Sequence, residues 1–149
     1  DAMIALNRGR TMVGALSVGI AQAALDEALR YANERVSMGQ RLNQHQVIQF
    51  KLADMALQVE AARLLVWRAA ALLDAGREPR REAAMAKLFA SETAVRAADQ
   101  ALQIHGGYGY VSEFAIERIY RDARVCTIGE GTSEIMRMVI ARDMLRDTP

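Results

Sequence analysis

Glu130 stands between Gly129 and Gly131, directly ahead of an apolar segment that reads as a final helix. Flanking glycines give a carboxylate little steric cover from its own chain, so a ligand can approach it closely. A helix N-terminus favours the ionised carboxylate and a dry ligand pocket disfavours it; that opposition is how a proton-abstracting base is tuned. A loop glutamate at a helix start also serves as a cap or a solvated charge, and spacing alone does not separate these roles. Arg35, in the run Arg35-Val36-Ser37-Met38-Gly39, carries the forked guanidinium of a phosphate clamp, although the macrodipole of a helix ending there accounts for a cation equally well. Gln103 with Gly106 and Gly107 offers an amide and bare backbone to a flat or phosphate-bearing ligand, or else a C-capping turn. His105 reads as a hydrogen-bonded packing residue and Cys126 as a small buried hydrophobe.

Other site chemistries find no residues. The positions three before His45 and His105 are Leu42 and Leu102, so the Glu-x-x-His pairs of a di-iron bundle are missing and no metal is expected. There is no phosphate-binding Walker loop, no paired cysteine spacing and no Gly-x-Ser-x-Gly elbow.

The elements that must position these residues are helical. Ile48, Leu52, Met55, Val59, Ala62, Val66, Ala69 and Leu73 alternate spacings of four and three, which puts all eight on one stripe of a helix over 44–75. Asn43 with Gln46 is the expected capping pair at its start, and Gly76 and Pro79 mark its end. Upstream, Val18, Ala21, Leu25, Ala28 and Ala32 predict a second long helix whose apolar residues continue back to Ile4. Gly9, Gly14 and Gly19 lie within it, each costing up to about 1 kcal/mol against Ala unless close helix packing or ligand approach compensates. Pro79 suits the first turn of a third helix with Ala84, Leu88, Val95, Ala98 and Leu102 inward, ending near His105 at the glycine-rich Gly106–Tyr110 stretch. Ser112 is the expected cap of a short helix to about Arg121, and Ile135, Met138, Val139 and Leu145 mark a last one.

Composition agrees with an all-α, up-and-down bundle of long helices: a four-helix core plus a short extra helix, in one domain over 1–149. Of 149 residues, 52% are hydrophobic, only two are proline and 5% are aromatic, which disfavours a sandwich or barrel. The net charge of +1 gives no reason to expect a nucleic-acid or acidic-membrane partner. One cysteine excludes an internal disulfide and suits a reducing, cytoplasmic setting, and no apolar run is expected to reach bilayer-spanning length. The start at Asp1, within apparent helix and without an initiator Met, suggests a fragment or processed domain.

Several runs, in order, resemble the C-terminal helical domain of the acyl-CoA dehydrogenases. They are Leu52-Ala53-Asp54-Met55, Ala86-Lys87-Leu88-Phe89-Ala90-Ser91-Glu92, Gln103-Ile104-His105-Gly106-Gly107-Tyr108-Gly109-Tyr110, Arg121-Asp122-Ala123-Arg124 and Gly129-Glu130-Gly131-Thr132-Ser133-Glu134-Ile135. In that family the subunit has a helical N-terminal domain, a middle β-domain and this bundle, with FAD and an acyl-CoA thioester between them. The resemblance implies that Glu130 removes the α-proton while the β-hydrogen leaves as hydride to the flavin, giving a trans-2-enoyl-CoA. It implies FAD contacts for Arg35, Ser37, Met38, Gln46, Gln103, Gly106, Gly107, Thr132 and Glu134, with Arg35 at the pyrophosphate and Thr132 on the flavin side. Residues of the Arg35 and Gln103 types reach a neighbouring subunit's cofactor in the family, so a homo-oligomer, a dimer of dimers, is implied. Electron-transferring flavoprotein is the implied electron acceptor, and the chain alone is expected to be inactive.

Asn7 to Arg10 match the stretch that touches acyl-CoA, with Asn7 where the family often has Asp. Met38 replaces the usual Phe of an Arg-x-x-Phe-Gly pattern. Gly129 replaces a Tyr or other bulky residue and, with Gly131, flanks the base, leaving room for a branched acyl group. Two rivals remain: an acyl-CoA oxidase or other flavin chemistry on the same fold, and a non-catalytic helical assembly domain.

Overall fold

The computed structural model describes residues 2–146. Its helices are α1 (Ala2–Glu34), α2 (Gln46–Asp74), α3 (Arg80–His105), α4 (Ala115–Val125) and α5 (Ser133–Arg146). The expectation that the apolar face of α1 reaches Ile4 falls on side chains outside the described ones. α1 and α3 run parallel: Gly14 lies against Ala86 near the start of α3, and Tyr31 stacks on His105 at its end, with ring centroids 4.1 Å apart. α2 runs the other way against both, as Arg68–Glu82 (3.5 Å) and Arg96 to Gln58 (3.1 Å) record along α3. α5 descends along α3 through Arg137–Glu92 (2.6 Å) and Arg81–Asp143 (4.0 Å).

The α1–α3 seam is built of alanine. Ala21, Ala24, Ala28 and Ala32 of α1 and Ala94, Ala97, Ala98 and Ala101 of α3 are buried in one cluster. Side chains this small let two helix backbones approach closely while losing almost no rotamer entropy. The α2 stripe is buried at Met55, Val59, Ala62, Val66 and Ala69, in agreement with its periodicity. Gly14 belongs to the same packing, since a Cβ there would stand 3.1 Å from Val66 Cγ2. α1 contains a stretch long and apolar enough to cross a membrane, which corrects the expectation that no run reaches that length. Its buried residues Val18, Ala21, Leu25 and Ala28 are core positions of the bundle.

Three local expectations are corrected. The cap of α2 is His45; Asn43 lies in a preceding 3-10 turn and its amide donates to Asn33 instead (2.6 Å). α4 starts after Phe114, beyond the reach of Ser112, which sits in an exposed turn. On α5 it is Met136 that is buried, while Ile135, Met138 and Leu145 are exposed.

Between α1 and α2 the chain forms a hairpin that the periodicity did not reveal, β1 (Val36–Ser37) against β2 (Gln40–Arg41). Its two-residue loop, Met38-Gly39, has φ of +51° and +79°. Positive φ at both positions matches the right-handed strand twist, and Met is an unusual occupant of the first.

Candidate functional site

Glu130 adopts φ +56° and Gly131 φ +101°. A left-handed non-glycine residue costs on the order of 1–3 kcal/mol and persists only where its surroundings over-determine it. Here the loop is tied on both sides: Gly129 N–H donates to the Val125 carbonyl (2.9 Å) and Ser133 N–H to the Thr127 carbonyl (3.1 Å). Gly131 cannot be replaced without a shift, because a Cβ would lie 2.8 Å from Met136 Cε. Gly129 is different, since its Cβ would meet only the Val125 carbonyl oxygen, at an ordinary 3.6 Å.

The Glu130 side chain lies over Gly9 of α1. A Cβ on Gly9 would stand 2.9 Å from Glu130 Oε2, so the absence of a side chain there is what seats the carboxylate. Asn7 and Arg10 flank this point from the buried side of α1, Asn7 being 1% exposed. The Asn7 amide donates to Glu78, and its carbonyl oxygen accepts from Arg10 Nη1 (3.0 Å). Burial, then the Arg80 charge, lowers the Arg10 pKa, and Glu130 opposes this by attraction. Arg10 Nε is buried without a hydrogen-bond partner. The substrate-side residues inferred from sequence (Asn7, Arg10, Gly129, Gly131) therefore gather round the same carboxylate, with Asn7 committed to Glu78 and Arg10.

The residues assigned to the cofactor fall into two groups. Arg35, Ser37, Gly106 and Gly107 line one groove of about 450 Å³ with Tyr31, His105 and Tyr108. The Arg35 guanidinium lies 5.2 Å from the Tyr108 ring centroid. His105 donates from Nδ1 to the Ala101 carbonyl (2.8 Å), which leaves Nε2 as a buried acceptor without a partner. Burial lowers the His105 pKa, keeping the ring neutral. Gln46, Met38 and Gln103 are exposed and do not line this groove, Met38 being 94% exposed. Thr132 and Glu134 line a second pocket, of about 320 Å³, with Ser133, Arg124 and Arg137. Thr132 Oγ1 accepts from Ile135 N–H (3.4 Å), and the Ser133 hydroxyl is buried and unpartnered. Hydrogen bonds from its own backbone N–H and from Thr132 lower the Glu134 pKa.

Lys87 and Ser133 stood in the sequence only within longer runs and Gly9 only as one of three helix glycines, none of them with a part at the carboxylate or the second pocket. Lys87 was visible as the one cation in the inward Ala83, Ala84, Ala86, Ala90, Ala94 series of α3. Gly9 was grouped with Gly14 and Gly19, yet only the fold separates them: Gly9 meets the carboxylate, Gly14 meets α2 and α3, and a Cβ on Gly19 would meet nothing.

The chain matches the family model described as acyl-CoA dehydrogenase, C-terminal domain, over residues 1–145. It is 57% identical over 145 residues to the human mitochondrial short-chain specific acyl-CoA dehydrogenase, an alignment covering 97% of this chain and 35% of that protein. It is 50% identical over 146 residues to the caffeyl-CoA reductase-Etf complex subunit CarC of Acetobacterium woodii, covering 98% of this chain and 38% of that one. The solved structure of butyryl-CoA dehydrogenase from Megasphaera elsdenii superposes with a TM-score of 0.96 at 46% identity, covering 97% and 38%. The chain spans a little over a third of the length of these relatives.

Proposed function

The chain belongs to the acyl-CoA dehydrogenase family, as its C-terminal domain, and from that premise we propose that it supplies the base, part of an FAD site and subunit contacts to an enzyme that dehydrogenates a short-chain acyl-CoA at its α and β carbons. The observation that carries this reading is the seat of Glu130, a carboxylate held in a left-handed loop over the bare backbone of Gly9. The α C–H bond breaks as its proton passes to a Glu130 oxygen, and the β-hydrogen leaves with its electron pair, so the product is a trans-2-enoyl-CoA. FAD, when bound, supplies the hydride acceptor. Arg10 contributes positive charge near the carboxylate, and Asn7 holds its guanidinium in place.

The residues present fit such a cofactor in chemistry. The Arg35 groove offers a guanidinium, a hydroxyl and an unpartnered imidazole acceptor beside aromatic faces. The Thr132 pocket offers a second orphaned hydroxyl, that of Ser133. Lys87, beside the Glu130 loop, and Gly106, beside Arg35, are nineteen residues apart on and just past α3, roughly 30 Å along the bundle. That separation supports a reading in which the Arg35 groove serves the cofactor of a neighbouring subunit and the bundle takes part in a dimer of dimers. Electron-transferring flavoprotein as acceptor follows from the family, and CarC is named as part of a complex with such a protein. The names of two relatives, short-chain specific and butyryl-CoA dehydrogenase, support a short acyl chain.

The test is anaerobic titration of the full-length flavoprotein with straight and branched acyl-CoAs, following flavin absorbance. Glu130→Gln is expected to slow bleaching by about 10²–10⁴-fold with flavin content unchanged. Gly129→Tyr is expected to narrow the acyl panel toward the straight chains. Bleaching at the original rate in Glu130→Gln sinks the base assignment. Rapid reoxidation by air with peroxide release favours the oxidase, and a full-length protein without flavin favours the assembly domain.

A further inference from the structure

Lys87 is fully buried in α3, among alanines, and no step described so far needs it. Its Nζ donates to the Gly131 carbonyl at 2.6 Å, crossing from α3 to the loop that carries Glu130. A buried ammonium is costly to retain, and an apolar residue of similar length would fill the same space. What the ammonium does that an apolar side chain cannot is hold the carbonyl that closes the pair of positive-φ residues, Glu130 and Gly131. Anchoring the end of that pair to α3 limits how far the loop can turn, and with it where the Glu130 carboxylate meets Gly9.

We propose that Lys87 is a positioning residue for Glu130: by anchoring the Gly131 carbonyl to α3 it holds the left-handed loop that aims the carboxylate. This rests on the assignment of Glu130 as the base. The charged and titratable groups that face Lys87 come from several elements: Arg10 from α1, Cys126 from the turn after α4, Glu130 from the loop and Glu134 from α5. Burial lowers the Lys87 pKa most, Arg10 adds to this, and Cys126, Glu130 and Glu134 oppose it.

The experiment uses full-length, flavin-loaded protein and a 3-thia-acyl-CoA as probe. Exchange of the probe's α-hydrogens with D2O reports proton abstraction without turnover. Lys87→Met is expected to slow exchange and kcat by about 10–100-fold, the loss that follows a misplacement of about 1 Å, with probe affinity and KM changed less than about threefold. Lys87→Arg, which keeps a cationic donor, is expected to recover most of the exchange. Normal exchange in Lys87→Met, with exchange abolished in Glu130→Gln, overturns the positioning role and leaves the base in place. Exchange persisting in Glu130→Gln overturns the base assignment itself. Loss of flavin and oligomer in both Lys87 variants makes the residue purely structural and also overturns the proposal.

Discussion

At the Glu130 end of the bundle Asn7, Arg10 and Lys87 are buried and bonded into the site, whereas at the Arg35 end the cation, the serine and the glycine backbone are all exposed. The buried groups there are rings: Tyr31 stacked on His105, with Phe114 edge-on to both. The first end is organised within one chain, Arg10 being held by Asn7 of its own helix and Lys87 by the carbonyl of Gly131. The second is an open groove lined in part by His105, whose buried Nε2 has no partner. A reacting carboxylate must be aimed before substrate arrives, because misplacement is expensive in rate. A groove that receives part of a cofactor from outside the chain can stay open until that part docks.

The contrast breaks most sharply at Gly9. Gly9→Ala should favour α1 by up to about 1 kcal/mol through helix propensity, yet its Cβ would sit 2.9 Å from Glu130 Oε2 and displace the carboxylate. We expect equal or higher thermal stability with α-hydrogen exchange reduced by about 100-fold; unchanged exchange would mean that the seat is not what aims the base. At the other end, Arg35→Ala should weaken flavin retention in the full-length oligomer by about tenfold, the loss of one charge-assisted hydrogen bond. Exchange per bound flavin should not move, and a fall in that ratio would show that the two ends are coupled. The smallest effect concerns His105. Its folded pKa lies below the ordinary 6.5, so its contribution to stability is complete above that pH and is lost as pH falls through the folded value. His105→Gln should remove that acid-side slope from a urea-midpoint series at pH 5 to 8 measured with flavin present. An identical slope would place the acid sensitivity elsewhere.

The long helices were legible because burial on one side leaves a regular period, and the α2 stripe from Met55 to Ala69 is buried as spaced. The Gly129-Glu130-Gly131 and Gly106-Gly107 runs were legible as glycine punctuation, and both prove to be turns with positive φ, at Glu130 and Gly131 and at Gly106. The hairpin at Met38-Gly39 was not, since its turn calls for Asn or Asp where the chain has Met. α5 misled for another reason: periodicity marks residues that gain from burial, not which surface buries them, and Ile135, Met138 and Leu145 find no cover within this bundle. Lys87 was hidden because one cation in an alanine stripe gives no sign of the carbonyl it will meet 44 residues later.

The same bond has a consequence for how the molecule comes into being. Lys87 to Gly131 spans 44 residues and Asn7 to Glu78 spans 71, and Glu130 closes on the ninth residue of the chain. Contacts this distant in sequence form late, after the local helices and the alanine seam that α1 and α3 share. As the chain is synthesised, the Glu130 carboxylate is therefore among the last parts to be seated, and a local opening of α5 would withdraw it while the seam persisted. An incompletely folded chain then keeps its alanine seam but leaves the Glu130 carboxylate unseated.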